Sequence, residues 1–296
     1  MWLLTACATA LLILSLAAFR GRQRRWNLAL AAGGVICAGA NLLPDIIAAA
    51  GQSDRTPCTR PSVSIYTQNI WNHNPDPDTT AASIRMLYPD IVLLQEIQGP
   101  AKRTFASLKD VYPYGFDCVD NRWCGLAILS KFPIRSSEHH QGRWRPPEYD
   151  RLTYIAATID LGASGGDLPV LTAHLSHPGR WGAQRNQVAS LIRHLDSLGG
   201  ERAILAGDLN ATPTMYAIRT LDRGLRMRRL THVLKPTWPA WLGSARWQSP
   251  VPLPFMPIDQ VYVGNRWKAC DLRLAPRNPS DHYGVLLTIT PAEGAQ

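Results

Sequence analysis

The sequence predicts an α/β domain, a sandwich of mixed sheets with outer helices, preceded by a transmembrane helical hairpin. Three observations carry that expectation. Residues 1–51 are largely apolar, interrupted by one arginine cluster at 20–25 and, in the second run, by Asn41 and Pro44-Asp45. From Pro61 onward, short apolar runs alternate with helical stretches, but without the strict βαβ rhythm of a parallel sheet. Polar residues able to do chemistry recur where those apolar runs end.

Composition narrows the class. The 296 residues are 46% hydrophobic and 18% charged, which excludes disorder, collagen, a coiled coil and a many-span transporter. No fixed-period repeat runs through the chain, so a solenoid is excluded too. The net charge of +9 favours anionic partners such as nucleic acid, phospholipid head groups or phosphate esters.

Trp2 to Phe19 carries no charge, and such a run just covers a bilayer core. Arg20, Arg22, Arg24 and Arg25 follow, then a second weakly polar run from Trp26 to Gly51. This reads as two spans joined by a basic loop at 20–25, which the positive-inside rule places in the cytoplasm. Everything after Gly51 then faces the periplasm or exterior of an inner-membrane protein. A signal peptide fits less well, because the arginines follow the apolar run rather than precede it. Leu4-Thr-Ala-Cys7 is no lipoprotein box, since no apolar region precedes it.

Residues 52–60 read as a linker and 61–296 as one α/β domain. Val63 to Gln68 has strand character, and Asp78 to Leu87 a helical one with Asp78 as N-cap. Ile91 to Gln95 is a continuous apolar run, as in a strand buried on both faces. Gly125 to Ser130, Leu152 to Asp160 and Val170 to Leu175 are further strands. Val188, Leu191, Ile192, Leu195 and Leu198 share one helical face. Ala203 to Ala206 is a strand, Thr214 to Leu221 a helix, and Ile258 to Val263 and Val285 to Ile289 close the domain.

Cys7 and Cys37 lie in the apolar runs and read as buried small hydrophobes. Cys118 and Cys124 flank a polar stretch with a turn-forming Asp-Asn, a spacing that suits a disulfide. Cys58 and Cys270 are then the remaining pair, and an even number outside the membrane fits an oxidising compartment. Free thiols in a cytosolic domain are the competing reading. No Cys/His spacing suited to structural zinc is present.

Asn69 ends the first strand and Glu96 the buried one; His174 ends Val-Leu-Thr-Ala-His. Asp208 and Asn210 follow Ala-Ile-Leu-Ala-Gly, Asp259 sits in Pro-Ile-Asp-Gln-Val, and Asp281-His282 precede the last strand. Acids at strand ends point into the cleft above a sheet. A hard cation needs such carboxylate and amide oxygens. Beside it, a carboxylate can activate water and imidazoles can hold phosphate charge. Taken singly, each residue has a structural role to offer, such as a turn at Gly207-Asp208 or a satisfied core histidine at His282. Their joint order along the apolar strands is what points to a site.

Gln-Asn69, Leu-Leu-Gln-Glu96, Gly125-Leu-Ala-Ile-Leu-Ser-Lys, Thr-Ala-His174-Leu, Gly-Asp208-Leu-Asn210, Pro-Ile-Asp259 and Ser-Asp281-His282 resemble the signature blocks of the endonuclease/exonuclease/phosphatase superfamily. The resemblance runs from about Pro61 to Ile289. It implies a four-layered αββα sandwich of two mixed sheets, and a divalent-metal-dependent phosphoesterase using Mg²⁺ or Mn²⁺. Carried over, it makes Glu96 the main metal ligand, supported by Asn69 and Asp281. Asp208 would position and activate water. Asn210 and His174 would hold the phosphate, and His282, oriented by Asp259, would stabilise developing charge. Arg151 resembles a phosphate-contacting arginine. Trp123-Cys124 stand where the deoxyribonuclease branch has a glutamate, so that branch's extra His–Glu pairing is absent.

The expected substrate is a phosphodiester of nucleic-acid or lipid-head-group type, and the expected membrane partner is the bilayer around residues 1–51. No obligate protein partner is inferred. A catalytically weak module that binds phosphorylated ligands, and a membrane scaffold, are the alternatives. Arg219, Arg223, Arg226, Arg228 and Arg229 form either a polyanion track or a solvated face. The Trp-rich stretch Lys235 to Pro257 is either a substrate- or membrane-facing loop or a packed cover of the sheet edge.

Overall fold

The computed structural model describes residues 22–51, 58, 61–118, 124–142, 152–244 and 247–292. The chain divides into two units, Met1–Gly51 and Gln52–Gln296. Among the described residues of the first, one helix, α1, spans Arg22–Gly51. Its stretch Ala31–Gly51, with mean hydropathy 1.5, is long and apolar enough to cross a membrane. The first expected span and Arg20 lie outside the described residues. The expected basic loop differs at Arg22, Arg24 and Arg25: they form the first turn of α1, as arginine's good helix propensity allows.

The second unit is built on two six-stranded sheets. Its elements are β1 (Val63–Asn69), α2 (Pro77–Leu87), β2 (Ile91–Gln95), α3 (Lys102–Leu108), β3 (Tyr114–Asp117), β4 (Leu126–Ser130), β5 (Ile134–Gln141) and β6 (Thr153–Asp160). Then come β7 (Asp167–His174), α4 (Trp181–Ser197), β8 (Ile204–Asp208), α5 (Tyr216–Gly224), β9 (Met227–Arg229), β10 (Trp241–Ser244), β11 (Trp247–Pro250), β12 (Asp259–Gly264), β13 (Trp267–Leu274) and β14 (Val285–Pro291). One sheet runs β13-β14-β1-β2-β4-β3 and the other β5-β6-β7-β8-β12-β9, while β10 and β11 form a separate hairpin.

Each sheet holds one parallel pair, β1 with β2 and β7 with β8, among antiparallel neighbours. Alternation along the strands builds the layers. Val63, Ile65, Ile91 and Leu93 meet Val170, Ile204, Ala206 and Val261 between the sheets. The intervening Tyr66, Val92 and Leu94 face outward onto Ile84 of α2 and Phe105 and Leu108 of α3. Leu171, Leu205 and Tyr262 likewise pack on Val188, Leu191 and Leu195 of α4 and Ile218 and Leu221 of α5. The result is the αββα sandwich. Ile91, Val92, Leu93 and Leu94 are all fully buried, which makes β2 a strand with both faces in the core; each such side chain is worth about 1.5–3 kcal/mol.

Two local expectations shift. The N-cap of α2 is Asp76, whose side chain accepts from the Thr79 N–H at 3.0 Å, not Asp78, which lies in the first turn. Pro77 explains this: it lacks an N–H and has a helix-ready φ, so it takes the first helical position and pushes the cap back to Asp76. The helix expected at Thr214–Leu221 begins only at Tyr216 and runs on to Gly224.

Cys58 is bonded to Cys270 and Cys118 to Cys124, and Cys37 is the one free cysteine among the described residues. The first bond ties Cys58, near the start of the domain, to the edge strand β13 over a separation of 212 residues. Alkylation of the denatured, unreduced chain, read by mass spectrometry, should therefore modify Cys37. Cys58, Cys118, Cys124 and Cys270 should react only after reduction; labelling of any of them beforehand contradicts the pairing.

Candidate active site

The parallel pairs deliver the site residues. β1 ends at Asn69 and β2 runs into Glu96, while β7 ends at His174 and β8 at Asp208. Antiparallel neighbours begin at the same rim. β12 starts at Asp259, which lies opposite Asp208, and the Asp281-His282 loop leads into β14. Gly207 lets the β8 end close on β7: a Cβ there would lie 2.2 Å from the Ala173 carbonyl oxygen. Gly-Asp is thus not a turn here but a close strand approach followed by an acid.

The Asn69 amide donates to Glu96 Oε1 at 3.0 Å and to Asp208 Oδ2 at 3.1 Å, joining the two sheets. Beneath it, Gln95 crosses the sandwich to Thr172 Oγ1 at 2.8 Å. His174 Nε2 stands 3.5 Å from Asp208 Oδ2 and 3.9 Å from Glu96 Oε1, and 3.0 Å from the Asn210 amide. That amide also donates to the Leu175 carbonyl, and the Asn210 N–H donates to Asp208 Oδ1. His282 Nδ1 lies 2.8 Å from Asp259 Oδ2, and its Nε2 3.7 Å from Asp208 Oδ2. Trp238 Nε1 donates to Asp281 Oδ2 at 3.2 Å.

The electrostatics follow from burial. Burial opposes ionisation of Glu96, but the adjacent His174, the Asn72 N–H and the Asn69 amide outweigh it and hold the carboxyl below its usual value. Burial pushes Asp208 above its usual value, against the pull of His282, with Asp259 adding to the rise. Burial likewise raises Asp281. For His282, burial opposes the charge, yet Asp259 and Asp208 hold its pKa up to about 10, so the ring is an imidazolium near neutral pH.

Two donor sets here have the chemistry to hold a divalent cation. Asp208, Asp259 and His282 offer ligand atoms all within 4.8 Å of one another. Glu96 and Asp281, near enough to interact electrostatically, offer the other carboxylates, and Asp281 Oδ1 is buried without a hydrogen-bond partner among the described residues. Asp259 Oδ1 is unpartnered in the same way, but its carboxylate and Asp208 flank a cationic ring that a metal would have to displace.

Sequence reading missed the braces. Gln68 is fully used: its amide donates to Asn278 Oδ1 and the His282 carbonyl, and its oxygen accepts from Tyr66 and Asn278. Ser280 Oγ donates to the Asn69 carbonyl and accepts from the His282 N–H. Gly284 leaves room for Tyr66, whose hydroxyl would lie 2.1 Å from a Cβ there. The Trp-rich stretch also braces the loop: Trp241 Nε1 donates to the Asn278 carbonyl, and the Ala240 N–H to that of Asp281. That supports the packed-cover reading for Trp238 and Trp241. In the arginine cluster, Arg229 pairs with Asp222 and Arg226 with Glu201. Arg151 lies outside the described residues.

A profile of the Endonuclease/Exonuclease/phosphatase family matches residues 66–282, which span every residue of this cluster. The chain belongs to the endonuclease/exonuclease/phosphatase family. Members of that family are metal-dependent phosphoesterases and nucleases. No curated protein matches the sequence. Among solved structures, the fold is similar to an endonuclease/exonuclease/phosphatase from Beutenbergia cavernae DSM 12333 (TM-score 0.58, 20% identity, covering 79% of this chain and 72% of that one). It is similar to sphingomyelinase C from Streptomyces griseocarneus (0.56, 17%, 77% and 99%). It is also similar to the human Nocturnin catalytic domain with bound sulfate (0.59, 19%, 79% and 96%). At these identities the likeness concerns the fold.

Replacing the bracing amide tests the local account. Gln68→Ala removes the partner of the Asn278 amide N–H, the Tyr66 hydroxyl and the His282 carbonyl, and should cost about 2–3 kcal/mol in chemical denaturation. Gln68→Glu, which supplies no donor, should fold no better; a loss below ~0.5 kcal/mol in both would contradict the brace.

Proposed function

We propose that this family member is a membrane-anchored phosphodiesterase that hydrolyses a nucleic-acid- or lipid-type diester by in-line attack of water. The observation that carries the reading is the single rim joining Asn69, Glu96, His174, Asp208, Asn210, Asp259, Asp281 and His282. In this reading Glu96, Asn69 and Asp281 hold Mg²⁺ or Mn²⁺. The partnerless Asp281 Oδ1 and the Glu96 carboxyl, held toward ionisation, suit a hard cation better than the Asp259–His282 pair does. When bound, such an ion neutralises charge on a phosphoryl oxygen.

The chain's own groups do the rest. Asp208, held by the Asn69 amide and the Asn210 N–H, orients the water and takes its proton. Asn210 and His174 hold the scissile phosphate, and Arg151 is assigned the same task. His282, kept cationic by Asp259, faces the charge that develops at the transition state.

The anchor comprises residues 1–51, the linker 52–60 and the catalytic domain 61–296. The apolar stretch Ala31–Gly51 supports the anchor. The two disulfides support a catalytic domain in an oxidising exterior or periplasmic space.

Glu96→Gln and Asp208→Asn each remove a charge used at the transition state and should lower turnover at least ~100-fold while the fold persists. A near-wild-type rate in either refutes the assignment. The substrate class is set by a panel of DNA, RNA, abasic DNA, sphingomyelin, phosphatidylinositol phosphates and small nucleotides, assayed with Mg²⁺ and Mn²⁺. Hydrolysis of none would favour a binding module. For orientation, a reporter active only in the cytoplasm and fused after Gln296 should stay silent; a signal would place the domain inside.

A further inference from the structure

Among the described residues, Trp71, Tyr88, Glu96 and Asn210 are the non-glycine residues with positive φ. Tyr88 has an ordinary reason, as the left-handed C-cap of α2. Glu96 (φ 59°) and Asn210 (φ 48°) belong to the site. Trp71 (φ 58°) is the remaining case, and a bulky side chain there is strained. Such strain persists only where the surroundings impose it, and it clusters at functional positions.

The surroundings are site residues. The Trp71 N–H donates to Asn69 Oδ1 at 2.9 Å, and the next N–H, from Asn72, donates to Glu96 Oε2 at 3.0 Å. The turn closes through the Asn74 N–H on the Trp71 carbonyl, and the buried Asn74 amide anchors it to Ile70 and Thr80. The Trp71 backbone is thereby fixed against Asn69 and, through Asn72, Glu96, while the residue stays partly exposed. Trp238, Trp241 and Trp267 each use the indole N–H to tie structure together, whereas Trp71 makes no such bond among the described residues. Its ring neighbour is the exposed His73, tilted at 43° with centroids 6.5 Å apart.

We propose that Trp71 is a stacking subsite for a planar aromatic ring carried by the phosphate ester, a nucleobase in chemical class. This deepens the phosphodiesterase reading and rests on it for the position of the phosphate. An indole face with an imidazole beside it suits a flat ring. A quaternary ammonium would also be attracted by an indole face, so phosphocholine is the competing ligand in the test. The subsite fixes which ester is held; Asp208 and His282 act on any phosphate placed beside them.

The test is equilibrium binding of adenosine 5′-monophosphate, inorganic phosphate and phosphocholine to the full chain in detergent with Mg²⁺, by calorimetry. The variants are Trp71→Ala, Trp71→Phe and Trp71→Gly, the last chosen because glycine adopts this φ without strain. Trp71→Ala and Trp71→Gly should weaken the nucleotide about tenfold and leave phosphate unchanged, with Trp71→Phe restoring most of the loss. Equal weakening of nucleotide and phosphate overturns the proposal, because Trp71 would then only shape the phosphate site. So does a loss confined to phosphocholine, or a wild type that holds the nucleotide no better than phosphate. Binding is read without turnover, so a chain that binds as expected but cleaves no ester refutes the phosphodiesterase and leaves the subsite standing.

Discussion

The site depends on one constraint of strand direction. β1 and β2 run parallel in one sheet, and β7 and β8 run parallel in the other. Their C-terminal ends meet at one rim, as the Asn69 amide shows by bonding both Glu96 and Asp208. Because β12 and β14 run antiparallel to these pairs, they begin where the pairs end, and Asp259 and the Asp281-His282 loop arrive at the same rim. Residues separated by more than 200 positions, such as Gln68 and Asn278, are thereby in hydrogen-bond contact. The apolar layer between the sheets holds this arrangement, and the polar rim is where that layer stops.

The rim concentrates acid. Four carboxyl groups, Glu96, Asp208, Asp259 and Asp281, share it with the imidazoles of His174 and His282, inside a chain of net charge +9. Buried charge without compensation is costly, and hydrogen bonds from Asn69, Asn72, Asn210 and Trp238 compensate only part of it. In the proposed reading, a divalent cation would compensate the remainder. The same reasoning explains the strained backbones of Glu96 and Asn210, since placing the side chain matters there more than local conformational comfort.

Much of this was legible in the sequence, for identifiable reasons. β2 and β8 are short, apolar and buried on both faces, so they stand out, and the acids after them stand out by contrast. β5 was not legible. Its Ile-Arg-Ser-Ser-Glu-His-His-Gln sequence is largely exposed at a sheet edge and carries no two-residue alternation. β13 was missed because Lys268, Asp271 and Arg273 interrupt its apolar pattern. Asp78 and Asp76 both look like caps by residue type, and only the preference of Pro77 for the first helical position decides for Asp76. The bracing residues Gln68, Asn278 and Ser280 are ordinary polar types; only tertiary contact shows that they hold the loop bearing Asp281. Trp71 carried no signal either, because the feature that singles it out is a backbone angle.

The central claim is that this rim grips a divalent ion through Glu96 and Asp281. Anomalous scattering from crystals of the protein grown with Mn²⁺ tests it most directly. The account predicts a peak in contact with the Glu96 carboxylate and Asp281 Oδ1, with the His282–Asp259 bond retained. A peak held by Asp208, Asp259 and His282 instead, or none at the rim, would contradict it.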